Sequence, residues 1–425
     1  MKQLITKLKQ NTDLYNTVVV GVGSIIASIF SYFLQLYLGR NLTISDFGAF
    51  SALLSLYYLV SVPAAVFSTS LVKTVSEMDL EKDRGRLTYF FLKLGKVALV
   101  VGFIVFLGVF AFRSVIADQL QIQNIPAISV YGILTGLGFV ALLPSSYLQG
   151  LQKFTSFAIY LIVININRFA IPAILVALSL GLTGVFSGMS IAVVLSFLIG
   201  FLFLRSSFGT VDRNISLSND FKKLLSLSLP VLLINFCMMA LNNIDVILIK
   251  KYFDEITAGY YAGTVTLGKI IFFGAGAVTT VMYPKISAMH AKGKDYRKTF
   301  RNLFSLQILI VIVAVAIFCI FPGFITNLFF GERFIDSVAF LPPFSLFIGL
   351  YVFVYFLTMF SLAIDKRRVF IILLPLVLVQ YLLITFFHSG ILQVIRINIF
   401  ICVLTLVALL SFTLPKILVN DNKEK

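Results

Sequence analysis

The segment Leu14–Leu38 reads LYNTVVVGVGSIIASIFSYFLQLYL, a run of 25 residues without one charged side chain. Its apolar residues cover every face of a helix, whereas a surface helix of a soluble protein keeps them on one face. The hydrocarbon core of a bilayer is about 30 Å thick, and roughly 20 apolar residues in a helix cross it. We therefore predict that this segment is a transmembrane helix.

The rest of the chain repeats this pattern. Of its 425 residues, 59% are hydrophobic and only 12% are charged, against about 25% charged residues in a soluble domain. The predicted spans are Leu14–Leu38, Phe47–Ser70, Leu87–Phe112, Pro126–Leu148, Phe157–Leu180, Thr183–Leu204, Leu224–Ile249, Ala258–Met282, Leu303–Phe330, Phe340–Ala363, Val369–His388 and Ile391–Leu414. We expect an all-α polytopic membrane protein with about 12 transmembrane helices.

Basic residues are distributed unevenly between the loops. With the N-terminus placed in the cytoplasm, 26 of the 34 Lys and Arg residues fall in cytoplasmic loops or tails and six fall in outer loops. Because cytoplasmic loops carry an excess of Lys and Arg, this distribution predicts that both termini are cytoplasmic. It also accounts for the net charge of +16 without a nucleic-acid partner, since nucleic-acid binding requires basic residues gathered on one soluble face.

Two parts of the chain are weakly similar at a separation of 211 residues. This register pairs Gly48 with Gly259, Ser76 with Ser287 and Met78 with Met289. Each repeat would hold six spans and begin in the cytoplasm, so the two halves would be parallel. We predict two pseudo-symmetric six-helix bundles, residues 1–210 and residues 211–425, with a site between them near the membrane midplane.

Two basic residues fall in the middle of predicted spans. Arg168 lies in span five, with Asn165 and Pro172 on the same helical face, and Lys269 lies in span eight. A charge at this depth costs about 2.5–3.5 kcal/mol on insertion scales, so it requires a partner or a wet cavity. Each cation either forms a structural pair, extends to the headgroups, or lines a cavity. A cavity with two cations favours an anionic ligand such as a phosphate or diphosphate.

Span seven carries a line of polar residues. Asn235, Asn242 and Asp245 are spaced at i, i+7 and i+10, which predicts one stripe on a continuous helix. Asp245 is near the outer end, where it either pairs with Lys250 or Lys251 or has a coupling or gating role in a cavity. The candidate substrate-binding residues are Arg168, Lys269, Asn165, Asn235, Asn242 and Asp245.

Catalytic and metal-binding patterns are absent from the sequence. His290 and His388 are far apart, and no HExxH, GxSxG or Gly-rich phosphate loop is present. Cys237, Cys319 and Cys402 lie well apart in apolar runs, without the spacing of a zinc site. The sequence therefore predicts no enzyme activity, no cofactor and no metal.

Three stretches carry a resemblance to a known family: YLGRNLTISDFGAFSALLSL from residue 37, LPVLLINFCMMALNNIDVILIKKYFDEITAGYYAGTVTLGKI from residue 229, and VMYPKISAMHAKGK from residue 281. The motif residues are Gly39, Arg40, Phe47 and Gly48 in the first half, and Asp245, Gly259, Tyr261, Ala262, Pro284 and Ser287 in the second. With these residues the chain resembles the polysaccharide-transporter (oligosaccharide flippase) branch of the multidrug/oligosaccharidyl-lipid/polysaccharide (MOP) exporter superfamily.

This resemblance implies a fold and a function. The fold would be V-shaped and two-lobed, like that of the multidrug (MATE) branch, with a cationic lumen. The function would be to flip a polyprenyl-diphosphate-linked oligosaccharide across the bacterial plasma membrane for capsule, O-antigen or exopolysaccharide assembly. The implied partners are that lipid-linked substrate, membrane lipids, and a glycan polymerase or glycosyltransferases. Family members line the lumen with several cations, and only Arg168 and Lys269 match here.

Two other functions remain open from the sequence. One is a cation-coupled multidrug or metabolite exporter of the MATE type, which buried acids in the first bundle would favour; none lies between Leu14 and Leu38. The other is a non-transporting scaffold for a glycan polymerase. The sequence does not specify the sugar, the coupling ion or the oligomeric state.

Overall fold

The computed structural model describes residues 12–78, 83–211 and 229–418. The α-helices are α1 (Thr12–Asn41), α2 (Ile44–Ser76), α3 (Arg84–Ala111), α4 (Arg113–Gln119), α5 (Ile125–Gly150), α6 (Phe154–Ala177), α7 (Gly181–Leu204), α8 (Leu229–Leu241), α9 (Ile244–Tyr252), α10 (Glu255–Ala291), α11 (Arg297–Ile320), α12 (Pro322–Phe330), α13 (Leu341–Ala363), α14 (Phe370–Phe386) and α15 (Ile391–Leu418). Short 3-10 helices occupy Arg205–Ser207, Glu332–Phe340 and Arg367–Val369.

The described residues contain helices and loops but no strand. Eleven helical segments are long and apolar enough to cross a membrane, and the bent pair of α8 and α9 makes a twelfth if it is counted as one span. The prediction of an all-α membrane protein with about 12 spans is confirmed.

Two compact units divide the chain. The first contains residues 1–46 and 60–228, and the second contains residues 47–59 and 229–425. Residues 47–59 of α2 thus belong to the second unit. The predicted division was a single one, between residues 210 and 211. That division stays a prediction, as does the orientation of the termini. Outside the described residues lie the predicted start of span seven at Leu224 and the basic residues Lys2, Lys7, Lys9, Lys82, Arg213, Lys222, Lys223, Lys423 and Lys425.

The repeat register is visible where two long helices begin. Thr43 caps α2, and its Oγ1 accepts a hydrogen bond from the backbone N–H of Asp46 at 3.0 Å. Asp254 caps α10, and its Oδ1 accepts from the backbone N–H of Thr257 at 2.9 Å. Such caps satisfy N–H groups that a helix leaves free at its start. The two caps are separated by the same 211 residues as the similar sequences, so the helix starts support the register.

The glycines that this register aligns are in contact within the second unit. A Cβ atom on Gly48 would lie 2.9 Å from the backbone nitrogen of Gly259, so α2 and α10 approach this closely because neither residue has a side chain. The neighbouring Phe47 packs edge-to-face against Phe330 and Phe334, with ring centroids 5.7 and 5.8 Å away. The beginning of α2 is therefore anchored on α10 and α12.

Two predicted spans differ from the observed helices. Span seven is broken, because α8 ends at Leu241 and α9 begins at Ile244 after a 45° bend. Span nine was predicted as Leu303–Phe330, and its outer end is wrong: α11 ends at Ile320, and Pro322 begins the separate helix α12. Proline has no N–H with which to continue a helix, and its fixed φ suits the first position of a new one.

One end of the first unit gathers three loops that were predicted to be cytoplasmic. The Nζ of Lys153 donates a hydrogen bond to Oγ of Ser206 at 3.1 Å, and Oγ1 of Thr88 donates to the carbonyl of Gly209 at 3.2 Å. Partial burial, and secondly the guanidinium of Arg84, lower the pKa of Lys153. The loops before α3, before α6 and after α7 therefore lie together, as the predicted topology requires.

Candidate functional site

Arg168 lies on α6 in the first unit and is half-buried. Its Nε atom is buried and has no hydrogen-bond partner among the residues that the structure describes. No salt bridge joins Arg168 to an acid among the described residues. The structural pair that was one alternative for this residue is therefore not observed, and within the described part of the chain Arg168 is an intramembrane cation without an anionic partner.

The surroundings of Arg168 hold its helix in place. Oδ1 of Asn165 accepts a hydrogen bond from Oγ of Ser31 on α1 at 2.6 Å, which links the two helices. Pro172, one turn beyond Arg168, deprives the carbonyl of Arg168 of its usual helical donor. A Cβ atom on Gly188 of α7 would lie 2.6 Å from the backbone of Pro172. The neighbouring helix therefore packs directly against α6 where its hydrogen bonding is interrupted.

Asp245 is fully buried at the beginning of α9 in the second unit. Its Oδ2 accepts hydrogen bonds from Oη of Tyr261 at 2.5 Å and from Nδ2 of Asn398 at 2.9 Å. Its Oδ1 accepts from the backbone N–H of Val246 at 2.9 Å. Three donors thus converge on one carboxylate, which is how buried charges are accommodated.

Gln380 extends this network to the break between α8 and α9. Its Nε2 donates to Oδ1 of Asn398 at 2.9 Å and to the carbonyl of Leu241, the last residue of α8, at 3.2 Å. The Oε1 of Gln380 and the Oδ1 of Asn242 are buried without a partner in the part of the chain that the structure describes. Side chains of α14 and α15 therefore support the broken helix, and two amide oxygens there remain unsatisfied.

Lys269, on α10, lies beside the same network. Its Nζ donates to Oδ1 of Asn243 at 3.2 Å and lies over the ring of Tyr58, 5.8 Å from the centroid. Asp245 attracts it electrostatically, but no salt bridge joins the two among the described contacts. An amide oxygen, an aromatic face and a nearby negative charge together offset the cost of this cation in the membrane.

Asp245 does not pair with Lys250 or Lys251. Its carboxylate oxygens are occupied by the donors of the buried network instead. The alternative of an ion pair with either lysine is therefore not observed, and a role for Asp245 in coupling or gating stays a prediction.

The predicted stripe on span seven is interrupted. Asn235 lies on α8, Asn242 lies in the break, and Asp245 lies on α9 beyond the bend. Nδ2 of Asn235 donates to the carbonyl of Val231 in its own helix at 2.8 Å. The i, i+7, i+10 spacing assumed an unbroken helix, and that assumption is wrong because consecutive asparagines favour turns over helix interiors.

The six predicted site residues fall into two groups. The first unit holds Arg168 and Asn165, and the second unit holds Lys269, Asn235, Asn242 and Asp245. The structure brings Lys269, Asp245 and the helix break together, and it places Asn235 more than one helical turn before that break.

Part of the network around Asp245 was not predicted from the sequence. Tyr261 was singled out only as a motif residue, and Gln380 and Asn398 were not considered. Both are polar residues inside apolar spans. The signal that selected Asn235, a polar side chain at membrane depth, would have found them.

The side chains around Asp245 and Lys269 are suited to binding a polar ligand. They supply amide donors and acceptors, one carboxylate and one ammonium, which suit a charged or hydroxyl-rich ligand. Within the described residues, no three His, Cys, Asp or Glu side chains are arranged to hold a metal ion.

Sequence comparison identifies the family. The profile of a family described as polysaccharide biosynthesis protein matches residues 37–339, more than half of the chain. The chain belongs to this polysaccharide biosynthesis family. No curated protein matches it by sequence.

Solved structures of similar fold are MOP-superfamily transporters. The lipid II flippase MurJ aligns with a TM-score of 0.72 and 15% identity over 93% of this chain and 87% of its own. A MATE multidrug resistance transporter aligns with a TM-score of 0.68 and 13% identity over 95% and 98%. The MATE multidrug transporter DinF-BH aligns with a TM-score of 0.69 and 12% identity over 94% of each chain. This polysaccharide biosynthesis protein therefore has the MOP fold, and the predicted resemblance and multi-pass membrane location are confirmed.

Proposed function

We propose that this protein flips a polyprenyl-diphosphate-linked oligosaccharide repeat unit across the bacterial plasma membrane for assembly of capsule, O-antigen or exopolysaccharide. Membership of the polysaccharide biosynthesis family supports the pathway. The fold shared with a lipid II flippase supports a lipid-linked cargo. A glycan polymerase and glycosyltransferases of the same pathway are the proposed partners, and the protein is a transporter, not an enzyme.

The observation that carries this proposal is the unpartnered cation Arg168. A guanidinium presents planar donors that match phosphate oxygens in a bidentate manner. Its buried Nε has no acceptor among the described residues, so an arriving phosphate would satisfy a donor that is now unpaired. In this proposal Arg168 and Lys269 bind the diphosphate, Asn165 positions the helix of Arg168, and Asn235, Asn242 and Asp245 line the path of the sugars.

Neutralising Arg168 tests the proposal. A hydrogen bond to a charged group contributes about 1.5–3 kcal/mol, so Arg168→Gln is expected to slow translocation by about tenfold or more. Arg168→Lys retains the charge without the planar fork and is expected to lie between Arg168→Gln and wild type. The measurement is transfer of a fluorescent polyprenyl-diphosphate-linked oligosaccharide across liposomes that contain purified protein.

A matched control is Arg113→Gln. Arg113 is partly exposed at the start of α4, where it stacks on Phe110 with its guanidinium carbon 4.0 Å from the ring centroid. We expect wild-type translocation in this variant. Wild-type translocation in Arg168→Gln, at equal amounts of folded protein, would contradict the proposed binding role.

The second candidate is a cation-coupled exporter of the MATE type. The fully buried Asp245 favours it, because carboxylates at membrane depth are typical of the ion and proton pathways of transporters. This function predicts resistance to cationic dyes in cells that express the protein. Unchanged dye sensitivity together with glycan export would leave the flippase as the function.

A further inference from the structure

An apolar groove runs along the first unit between α3, α5 and α7. Its wider part is a cavity of about 450 Å³, and a second cavity of about 220 Å³ continues it. The two cavities share the lining residues Leu99, Leu137 and Val140, so they form one continuous feature, which we call the α3 groove. Among the described residues, Lys96 is the only charged one that lines either cavity.

Missing side chains create the space in this groove. A Cβ atom on Gly95 would approach only the end of Leu143, at 3.9 Å, so the volume beside Gly95 is open. Farther along, Gly102 of α3 and Gly136 of α5 are in backbone contact. The close approach of these two helices forms a floor, and larger side chains such as Phe103 stand beside it.

The part of the groove beyond Lys96 has the length of one leaflet of a bilayer. The lining residues of α3 run from Phe91 to Phe106, and Lys96 lies between them, ten residues before Phe106. At 1.5 Å per helical residue, Lys96 and Phe106 are about 15 Å apart. This is half of the hydrocarbon core, which is about 30 Å thick. This part of the α3 groove therefore has the length of an acyl chain that occupies one leaflet.

The charge of the groove is confined to Lys96. Lys96 is exposed and follows Arg84 by about three helical turns. Arg84 belongs to the basic end of the first unit, where its charge acts on Lys153. A headgroup without net charge is not attracted to a lysine at this position. A headgroup whose phosphate has no compensating cation is negatively charged and is attracted to it.

We propose that the α3 groove binds one anionic phospholipid of the surrounding bilayer, with an acyl chain along Gly95, Leu99 and Phe106 and the headgroup phosphate at Lys96. The site is separate from Arg168 and Asp245, so it does not depend on the proposed transport function.

The absence of tryptophan from the chain makes a direct test available. Phe201 lines the groove, and Phe201→Trp would introduce the only tryptophan. The full-length variant is reconstituted into phosphatidylcholine vesicles with brominated phosphatidylglycerol or brominated phosphatidylcholine as the quenching lipid. Because a lysine near the headgroups contributes about 1 kcal/mol of attraction to anionic lipid, the groove tryptophan should prefer phosphatidylglycerol by about fivefold.

Two comparisons separate the groove from ordinary lipid contact. Adding Lys96→Gln should reduce the preference to about one, because the attraction to the headgroup phosphate is removed. Phe386→Trp places the tryptophan on a residue of α14 that is 72% exposed, and it should show no preference. Equal quenching by the two lipids at Phe201→Trp, or a preference that survives Lys96→Gln, would overturn the proposal.

A filling variant tests the acyl-chain contact separately. Gly95→Leu should occupy the open volume and weaken quenching by both lipids at Phe201→Trp. Gly108 also lies on α3, but outside both cavities, and a Cβ atom there has open space. Gly108→Leu therefore adds the same side chain away from the groove and should leave quenching unchanged. Full quenching in Gly95→Leu, with monodisperse protein, would remove the groove as the binding site.

The lipid part of the transport substrate is the competing occupant. Unbrominated polyprenyl phosphate is added to vesicles that contain the Phe201→Trp protein and brominated phosphatidylglycerol. We expect it to relieve quenching no better than unbrominated phosphatidylglycerol. Relief at a much lower mole fraction would assign the groove to the substrate and would overturn the proposal for a membrane phospholipid.

Discussion

Asp245 illustrates at the residue scale what a buried carboxylate requires from its neighbours. The carboxylate of Asp245 accepts two side-chain hydrogen bonds, and Tyr261 donates one of them. A hydrogen bond to a charged group contributes about 1.5–3 kcal/mol, so Tyr261→Phe is expected to lower the free energy of unfolding by about 2 kcal/mol. The measurement is thermal unfolding of the purified protein in detergent.

Tyr351→Phe is the matched control, because Tyr351 is also buried. Its Oη donates to the backbone carbonyl of Met238 at 2.8 Å, a neutral acceptor. The expected loss is about 1 kcal/mol. A loss at Tyr351 as large as that at Tyr261 would indicate that the charge of Asp245 adds nothing to its hydrogen bond.

Asp254 makes a pH-dependent contribution. Hydrogen bonds from Thr257, followed by that from the backbone of Ile256, hold the pKa of Asp254 below its ordinary value. This stabilisation is therefore fully present above the unfolded pKa of about 3.9 and is lost as the pH falls through the lower folded value. Asp254→Ala should lower the free energy of unfolding by about 1 kcal/mol near neutral pH, and the deficit should shrink below about pH 4.

The equivalent cap in the first repeat gives the control for this pH dependence. Thr43 caps α2 with a hydroxyl that does not titrate in the acid range. Thr43→Ala should therefore lower the free energy of unfolding by a similar amount on both sides of the aspartate pKa. A deficit in Asp254→Ala that does not change with pH would contradict the role of the charged carboxylate.

The contact between α2 and α10 leads to a prediction at the element scale. Gly48→Ala would place a methyl group 2.9 Å from the backbone of Gly259. Overpacking of this kind costs about 1–3 kcal/mol, and the loss should appear in thermal unfolding. Gly274→Ala adds the same methyl group to α10 in open space and should be neutral or stabilise by up to about 1 kcal/mol through helix propensity. Similar effects of the two substitutions would refute the close approach.

The helices differ in how well the sequence predicts them. Long apolar runs such as α7 follow directly, because the membrane thickness demands a helix of that length. The break after Leu241 was missed because hydropathy averages over the asparagines that form it. Pro322 was a stronger local signal, since proline disfavours helix continuation, and reading it would have divided span nine correctly.

For the whole molecule, membrane character and span number are predictable because composition and segment length decide them. The polar network is less accessible. Asn398 is 153 residues from Asp245 in the chain and Gln380 is 139 residues from Leu241, so only folding brings them together. That Arg168 has no anionic partner in the described part of the chain was likewise not predictable from the sequence, because an acid on any neighbouring helix is a potential partner.

The predicted orientation is testable by cysteine labelling. Cys319 is exposed and Cys237 and Cys402 are buried, so a Cys319→Ser protein is a suitable background. We expect a membrane-impermeant maleimide to label Asp118→Cys in intact cells and Lys294→Cys only after permeabilisation, because basic loops remain inside. The reverse result would invert the topology.

The hydrogen bond between Lys269 and Asn243 affects how this lysine meets any anion. An ammonium has three N–H bonds, and one of them is directed at the amide of Asn243. This hydrogen bond restricts the side chain, which has therefore already lost part of the conformational freedom that a flexible lysine gives up on binding. An anion that binds Lys269 would consequently also affect Asn243, which lies in the break between α8 and α9.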